Sequence, residues 1–256
     1  MHIPSLHFAH KGKRWLADLQ HATPIGIPIR HHGPLRCFFA PPVQCTPVRT
    51  GDFIGSVAQG GPVNFYNITL NPHGNTTHTE CFAHIANTTH TIADTFDHCL
   101  FIAYLCSVQP HTTTDGDQVL TYSDFLSTLK PLNPTPEALI VRTLPNPPDK
   151  IHRDYSGTNP PYFDPKAAEY FAQLGITHLL TDLPSVDREN DGGKLLAHRA
   201  FWQYPHDTRY KASITELIFV PNSCPDGWYL LFLHPLHFHL DVSPSCPVIC
   251  PLRPID

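Results

Sequence analysis

Residues 71 to 84 read NPHGNTTHTECFAH, and this stretch decides how the rest of the chain is read. It places His73, His78, Glu80 and His84 within twelve positions. Side chains alternate faces along an extended chain, so His78, Glu80 and His84 share one face. Imidazole and carboxylate on one face form a donor set for zinc or manganese. His73 has the opposite parity, and a bulge at the neighbouring Gly74 would bring it round to the same side. Cys81 also has the opposite parity, which argues against a thiol nucleophile activated by these groups. A solvated loop rich in Thr and His is the other reading of the same residues.

A second carboxylate stands out far along the chain. In Ile214 to Val220 (ITELIFV), Glu216 shares its face with Ile214, Ile218 and Val220. Burying a carboxylate among apolar groups is costly unless it is paired or bound to a cation. Three explanations stay open: a strand end that reaches water, a buried pairing with an arginine such as Arg199, or a metal site shared with the first cluster.

Composition narrows the classes. The 256 residues carry a net charge of −5, from 17 basic and 22 acidic side chains. No Lys/Arg run supports nucleic-acid binding. The longest apolar run, Cys99 to Cys106, is too short to span a membrane. Met1-His2-Ile3-Pro4 lacks the charged and apolar regions of an export signal, so a cytoplasmic, reduced protein is expected. The eight cysteines form no Cys-x-x-Cys and read as small buried hydrophobes. Nineteen histidines are an excess, of which only those sharing a face with carboxylates call for a chemical explanation.

The pattern along the chain predicts one α/β domain over residues 1–256, β-rich, with a mixed sheet core and few helices. The first 60 residues read as irregular. Strands are predicted over Pro62 to Leu70, within Thr91 to Val108, and over Glu137 to Thr143, where Pro145, Pro147 and Pro148 end the run. Further strands are predicted over Ile176 to Leu183, Ile214 to Val220 and Trp228 to Leu240. A helix is predicted over Thr121 to Leu129, and another opens at Asp164-Pro165 and closes at Gly175. Trp15, Phe38, Phe39 and Phe65 are either core or the wall of a substrate site.

Several of these segments, taken in order, resemble the cyclase family of metal-dependent hydrolases, of the kynurenine formamidase and isatin hydrolase type. The family signature in loose form is His-x-Gly-Thr-His-x-Asp-x-Pro-x-x-x-His. Here Thr77-His78-Thr79-Glu80 and His84 match it, followed by Asp182-Leu183-Pro184-Ser185-Val186-Asp187, His198-Arg199 and Ile214-Thr215-Glu216. Leu16-Ala17-Asp18-Leu19 is similar to the first strand, and Pro235-Leu236 and Ser243 to Val248 to the closing segment. Position 74, where the signature has its first His, is Gly; the signature Asp is Glu80; the stretch from His198 to Glu216 is longer.

The resemblance implies a swivelling β/β/α fold and one or two divalent metal ions, Zn2+ or Mn2+. It implies metal ligation by His78, Glu80, His198 and Glu216, with His73 as the candidate for the remaining ligand. It makes His84 the catalytic proton-transfer residue, with Asp182 or Asp187 orienting a ligand histidine. The implied activity is hydrolysis of a C–N bond in a small amide or N-formyl compound, as in arylformamidases of tryptophan catabolism to kynurenine. The implied assembly is a homo-oligomer. A metal-binding protein of the same fold with no such activity, or with another specificity, is the alternative.

Overall fold

The computed structural model describes residues 5–255; Met1 to Pro4, read above for an export signal, lie outside the described residues. The main sheet runs, neighbour by neighbour, through Leu6–His10, Lys13–Ala17, Val248–Ile255, Gly227–Phe232, Leu100–Val108, Ala138–Thr143, His178–Thr181, Ser213–Glu216, His78–Cys81 and Val242–Pro244. Four adjacent strands, from Leu100–Val108 to Ser213–Glu216, are mutually parallel, and their outer neighbours are antiparallel. The fold is therefore the mixed α/β architecture that the sequence pattern predicts.

Parallel neighbours need crossover connections. Three helices supply them: Tyr122–Leu129, Pro165–Leu174 and Leu196–Trp202. The first starts at a capping box of Thr121 and Asp124. The second has Asp164 at its cap, Pro165 at its first position and Gly175, at φ +83°, at its end. All three pack on one face of the sheet, where Phe125, Phe171, Phe201 and Trp202 meet Leu139, Val141, Leu179 and Ile214. On the opposite face Phe101, Leu105, Ile140 and Leu180, with Leu231 and Ile249 of the neighbouring strands, pack against Ile25, Ile218 and Val220. Both faces are covered, so the central strands are apolar throughout instead of alternating with polar residues.

Parallel strands end together, so Thr143, Asp182 and Glu216 lie along one carboxyl edge, the edge where open α/β sheets bind ligands. Asp182 does not orient a ligand histidine there. It accepts hydrogen bonds from Thr143 N (3.1 Å) and Lys150 Nζ (2.7 Å), a buried pair that pins the start of the 182–191 loop. The 3% exposed His178 stacks on Phe96 and donates to or accepts from Ser213 Oγ at 2.8 Å.

The differences from the sequence reading have local causes. The irregular N-terminal stretch contains a hairpin, Leu6–His10 with Lys13–Ala17, closed by Lys11 and Gly12 at φ +46° and +75°. The 62–70 strand shrinks to Tyr66–Thr69 and pairs with Gln44–Pro47 as a solvent-exposed arm outside the main sheet. The 214–220 strand stops at Glu216 because Leu217 turns to φ +55°. The strand after Gly227 stops at Phe232, and residues 233 to 241 are a loop. Trp15 is core, 5.3 Å from Trp228, and Phe65 packs on Phe53, so neither is a site wall. All eight cysteines are free, and Cys37, Cys81, Cys106, Cys224 and Cys250 are buried. Among the described residues no helix is long and apolar enough to cross a membrane.

Burial, reinforced by the charges of His98 and Arg209, pushes the His178 imidazole down to about 3. The unfolded chain takes up this proton near the ordinary value of about 6.5, whereas the folded chain resists it. Stability from this residue is whole above that value and is lost as pH falls toward 3, by up to about 1.4 kcal/mol per unit. Urea unfolding between about pH 6.5 and 4 should show this slope, and His178→Gln should lose it. An identical slope in the variant would exclude His178 as its source.

Candidate metal centre

His78 and Glu216 are directly opposite each other in the antiparallel register of their strands, and Ile214 is opposite Glu80. Cross-strand partners bring their side chains within reach of each other. The His78 Nε2 to Glu216 Oε2 separation is 3.3 Å, and the two residues are 0% and 3% exposed. Neither water nor Arg199 accounts for the Glu216 carboxylate. Its Oε1 accepts Val186 N at 2.8 Å, while Arg199 lies over the Tyr204 ring.

The strand carrying His78 and Glu80 is only four residues long, His78–Cys81. His84 reaches the same cluster from a 3-10 turn, Phe82–Ile85, and not from a continued strand. His73 arrives without a bulge. Asn71 caps a helical turn, Pro72–Asn75, by accepting Gly74 N at 3.0 Å, and that turn swings His73 over Glu80. Gly74 is fixed by packing: a Cβ there would lie 2.4 Å from Ala40 Cβ and 3.1 Å from the Cys37 carbonyl oxygen. The turn at 37–40 thus fills the space a larger side chain at position 74 would need.

His198 enters from the third crossover helix. Asp187 accepts from Ala197 N at 2.7 Å and from His198 Nδ1 at 2.6 Å, so one carboxylate supports both the helix start and the ring. His198 Nε2 is then 3.0 Å from Glu80 Oε1 and 3.8 Å from Glu216 Oε1. His73, His78, Glu80, His84, His198 and Glu216 therefore converge on one place. A seventh member, Asp241, was not singled out by sequence. Its Oδ2 lies 3.2 Å from His73 Nε2 and 3.1 Å from His84 Nδ1. It precedes the Val242–Pro244 strand, and the histidine-rich run HPLHFHLD ending in it is its one sequence signal.

The charges in this cluster are tightly linked. Burial alone would raise the Glu80 carboxyl, but the charge of His84 and the hydrogen bond from His198 hold it well below the usual carboxylate range. Burial would lower His73 and His198, yet hydrogen bonds to Asp241 and Asp187 respectively push both up to about 10. The Glu80 charge, ahead of the Asp241 hydrogen bond, raises His84. Cys81 points elsewhere, and burial pushes its thiol up to about 11, which makes it a poor nucleophile.

A cation fits this donor set. His78 Nδ1 donates to the Thr76 carbonyl at 2.9 Å, which turns Nε2 inward. That nitrogen and Glu80 Oε2 are buried and have no hydrogen-bond partner. Buried polar atoms without partners are rare and costly, and here they are a nitrogen and a carboxylate oxygen, two donors that a divalent metal accepts. His73, His78 and Glu80 offer ligand atoms within 4.8 Å of one another, as do Glu80, His84 and His198. His73, His84, His198 and Glu216 line a cavity of about 360 Å³ that Phe38, Arg188 and Leu195 also line.

The cyclase family model, described as "Putative cyclase", matches residues 11–188. His198 and Glu216 lie beyond that match and are placed by geometry alone. No curated protein matches the chain. Isatin hydrolase A from Labrenzia aggregata bound to benzyl benzoate is similar at a TM-score of 0.66 and 12% identity, over 90% of this chain and 93% of that one. An isatin hydrolase bound to the product analogue thioisatinate is similar at 0.64 and 15%, over 92% and 93%. A structure described as a predicted metal-dependent hydrolase from Bacillus stearothermophilus is similar at 0.61 and 16%, over 90% and 97%. At these identities the likeness shows a common fold.

Two outcomes are expected from metal titrations. His78→Ala and Glu216→Ala should each lose bound Zn2+ or Mn2+ by elemental analysis; full metal content in both would remove the centre. In the cation-free protein His73 and His198, drawn up to about 10, hold protons at neutral pH that a ligating metal must displace. Apparent affinity should therefore rise with pH between about 6 and 8, by up to about tenfold per unit for each proton displaced. Calorimetry in buffers of different ionisation enthalpy should register the released protons.

Proposed function

The chain belongs to the cyclase family, and from that premise we propose that it is a metal-dependent hydrolase that cleaves the C–N bond of a small amide or N-formyl compound, in the manner of an arylformamidase. The observation that carries the reading is the convergence of His73, His78, His198, Glu80 and Glu216, whose inward atoms include a buried nitrogen and a buried carboxylate oxygen without hydrogen-bond partners. These residues would hold the ion, and their mixed nitrogen and oxygen donors suit Zn2+ or Mn2+. When bound, such an ion lowers the pKa of water and polarises a carbonyl.

The remaining work falls to the chain. His84 is half-buried, lines the cavity, and is held on its Nδ1 side by Asp241 at 3.1 Å. It would take a proton from the attacking water and return it to the leaving nitrogen. The cavity, at about 360 Å³, has the size of a small-molecule site. Phe38 offers an aromatic face on its wall, which suits an aryl amide. The neighbouring Phe39 edges the open groove outside. Phe38 and Phe39 both sit at left-handed φ, +55° and +56°. Strain of about 1–3 kcal/mol per such residue persists where the surroundings enforce it, often at ligand sites. Here the Phe39 amide is tied to Ser156 Oγ at 3.0 Å and the Ala40 amide to the Cys37 carbonyl at 3.0 Å.

Glu80, one methylene longer than the Asp of the family signature, supports a second reading: a metal-binding member of the fold with another specificity or no hydrolysis. Metal-loaded protein tested against aryl formamides and cyclic amides such as isatin separates the two. Hydrolysis of one of them is expected, and stoichiometric metal with no turnover of any favours the second reading. His84→Ala should retain the metal and lose about 10²–10⁴-fold in kcat. An unchanged kcat would take His84 out of the reaction.

A further inference from the structure

His198, His78 and His73 each face a buried carboxylate with one ring nitrogen and have the other tied to an acceptor that is neither Glu80 nor Glu216. His198 gives Nδ1 to Asp187, and His78 gives Nδ1 to the Thr76 carbonyl. His73 follows the same arrangement with its nitrogens exchanged. Its Nε2 meets Asp241 Oδ2 at 3.2 Å, and its Nδ1 faces Glu80 Oε2 at 3.2 Å. Glu80 Oε2, which has no hydrogen-bond partner, is the atom that faces this Nδ1, and the ring of His78, whose Nε2 also has none, lies 4.9 Å from the His73 ring, centroid to centroid.

We infer that Asp241 is a positioning residue that makes His73 a metal ligand through Nδ1, so that His73 supplies from the helical turn the imidazole that position 74 cannot carry. This rests on the metal-site reading above. The physical reason lies in the packing at 74. The Cys37 to Ala40 turn leaves no room for a Cβ there, which moves the nearest imidazole to position 73. A ring on that turn needs an anchor to point inward, and Asp241 provides it by accepting from Nε2. The same carboxylate oxygen meets His84 Nδ1 at 3.1 Å, so one side chain sets the orientation of both rings. Outer acceptors of this kind fix which nitrogen a ligand histidine presents, and losing one typically weakens metal binding about 10–100-fold.

Competition titrations of Zn2+ against a chelating dye test this without any substrate. The proteins are the wild type, Asp241→Ala, Asp241→Asn, His73→Ala and the Asp241→Ala/His73→Ala double variant, with metal-free thermal melts reporting folding. Asp241→Ala should weaken Zn2+ binding about 10–100-fold. Asp241→Asn keeps an acceptor oxygen and should recover part of that loss. In the His73→Ala background, removing Asp241 should cost nothing further, because the residue acts through His73. If Asp241→Ala does not fold, Asp241→Asn is compared with and without His73→Ala. Wild-type affinity in Asp241→Ala, or losses that add in full, would overturn the inference. Loss of one whole metal equivalent in both Asp241 variants would make Asp241 itself a ligand, grouped with His73 and His84, and would also overturn it. A failure of the metal centre as a whole has a different signature: His78→Ala would then bind Zn2+ as tightly as the wild type.

Discussion

His78 Nε2 and a Glu216 carboxylate oxygen face each other at 3.3 Å inside the protein, with no aligned hydrogen bond between them. Both residues are almost wholly buried, at 0% and 3% exposed. Such an arrangement is unfavourable for two acceptors and favourable around a shared positive charge, because the low-dielectric interior strengthens both the repulsion and the attraction. Most of the surrounding structure can be understood as holding these two groups in place. The antiparallel register sets them opposite each other, the left-handed Leu217 ends the strand just past Glu216, and the Val186 amide fixes the other carboxylate oxygen.

The parallel part of the sheet explains why the cluster lies where it does. Three crossover helices bring the chain back each time, so the carboxyl ends of the strands form one edge. The loop from Asp182 to Asp191 runs along that edge. Lys150 and Asp182 anchor its start, and Asp187 links its middle to the helix that carries His198. Rigid elements thus supply Glu216 and His78, while short turns supply His73 and His84. The division has a chemical counterpart. His78, Glu80, His198 and Glu216 are buried, whereas His73, His84 and Asp241 are half-buried, and His73 and His84 line the cavity.

Much of the candidate centre was legible in the sequence, although not for the reasons alternation gave. His78 and Glu80 do share a face of one strand, but His84 reaches them through a 3-10 turn and His73 through a capped helical turn. Alternation assumes an extended backbone, and local hydrogen bonds such as Asn71 to Gly74 N override it. The lone carboxylate on an apolar strand was a sound signal for Glu216. Asp241 had no comparable signal, because an Asp in a loop is unremarkable until its neighbours in space are known.

The sequence by itself determined the elements whose stability is local or patterned: the apolar central strands, the helices opened by Thr121 and Asp164, and the stretch that carries His78 and Glu80. It also carried the ordered resemblance to the family. Only the tertiary structure decided which residues meet. Register pairs His78 with Glu216, far apart along the chain, close packing at Gly74 moves the first imidazole to His73, and Asp241 arrives from the far end of the chain. Such contacts depend on distances in space, and a one-dimensional pattern records only distances along the chain.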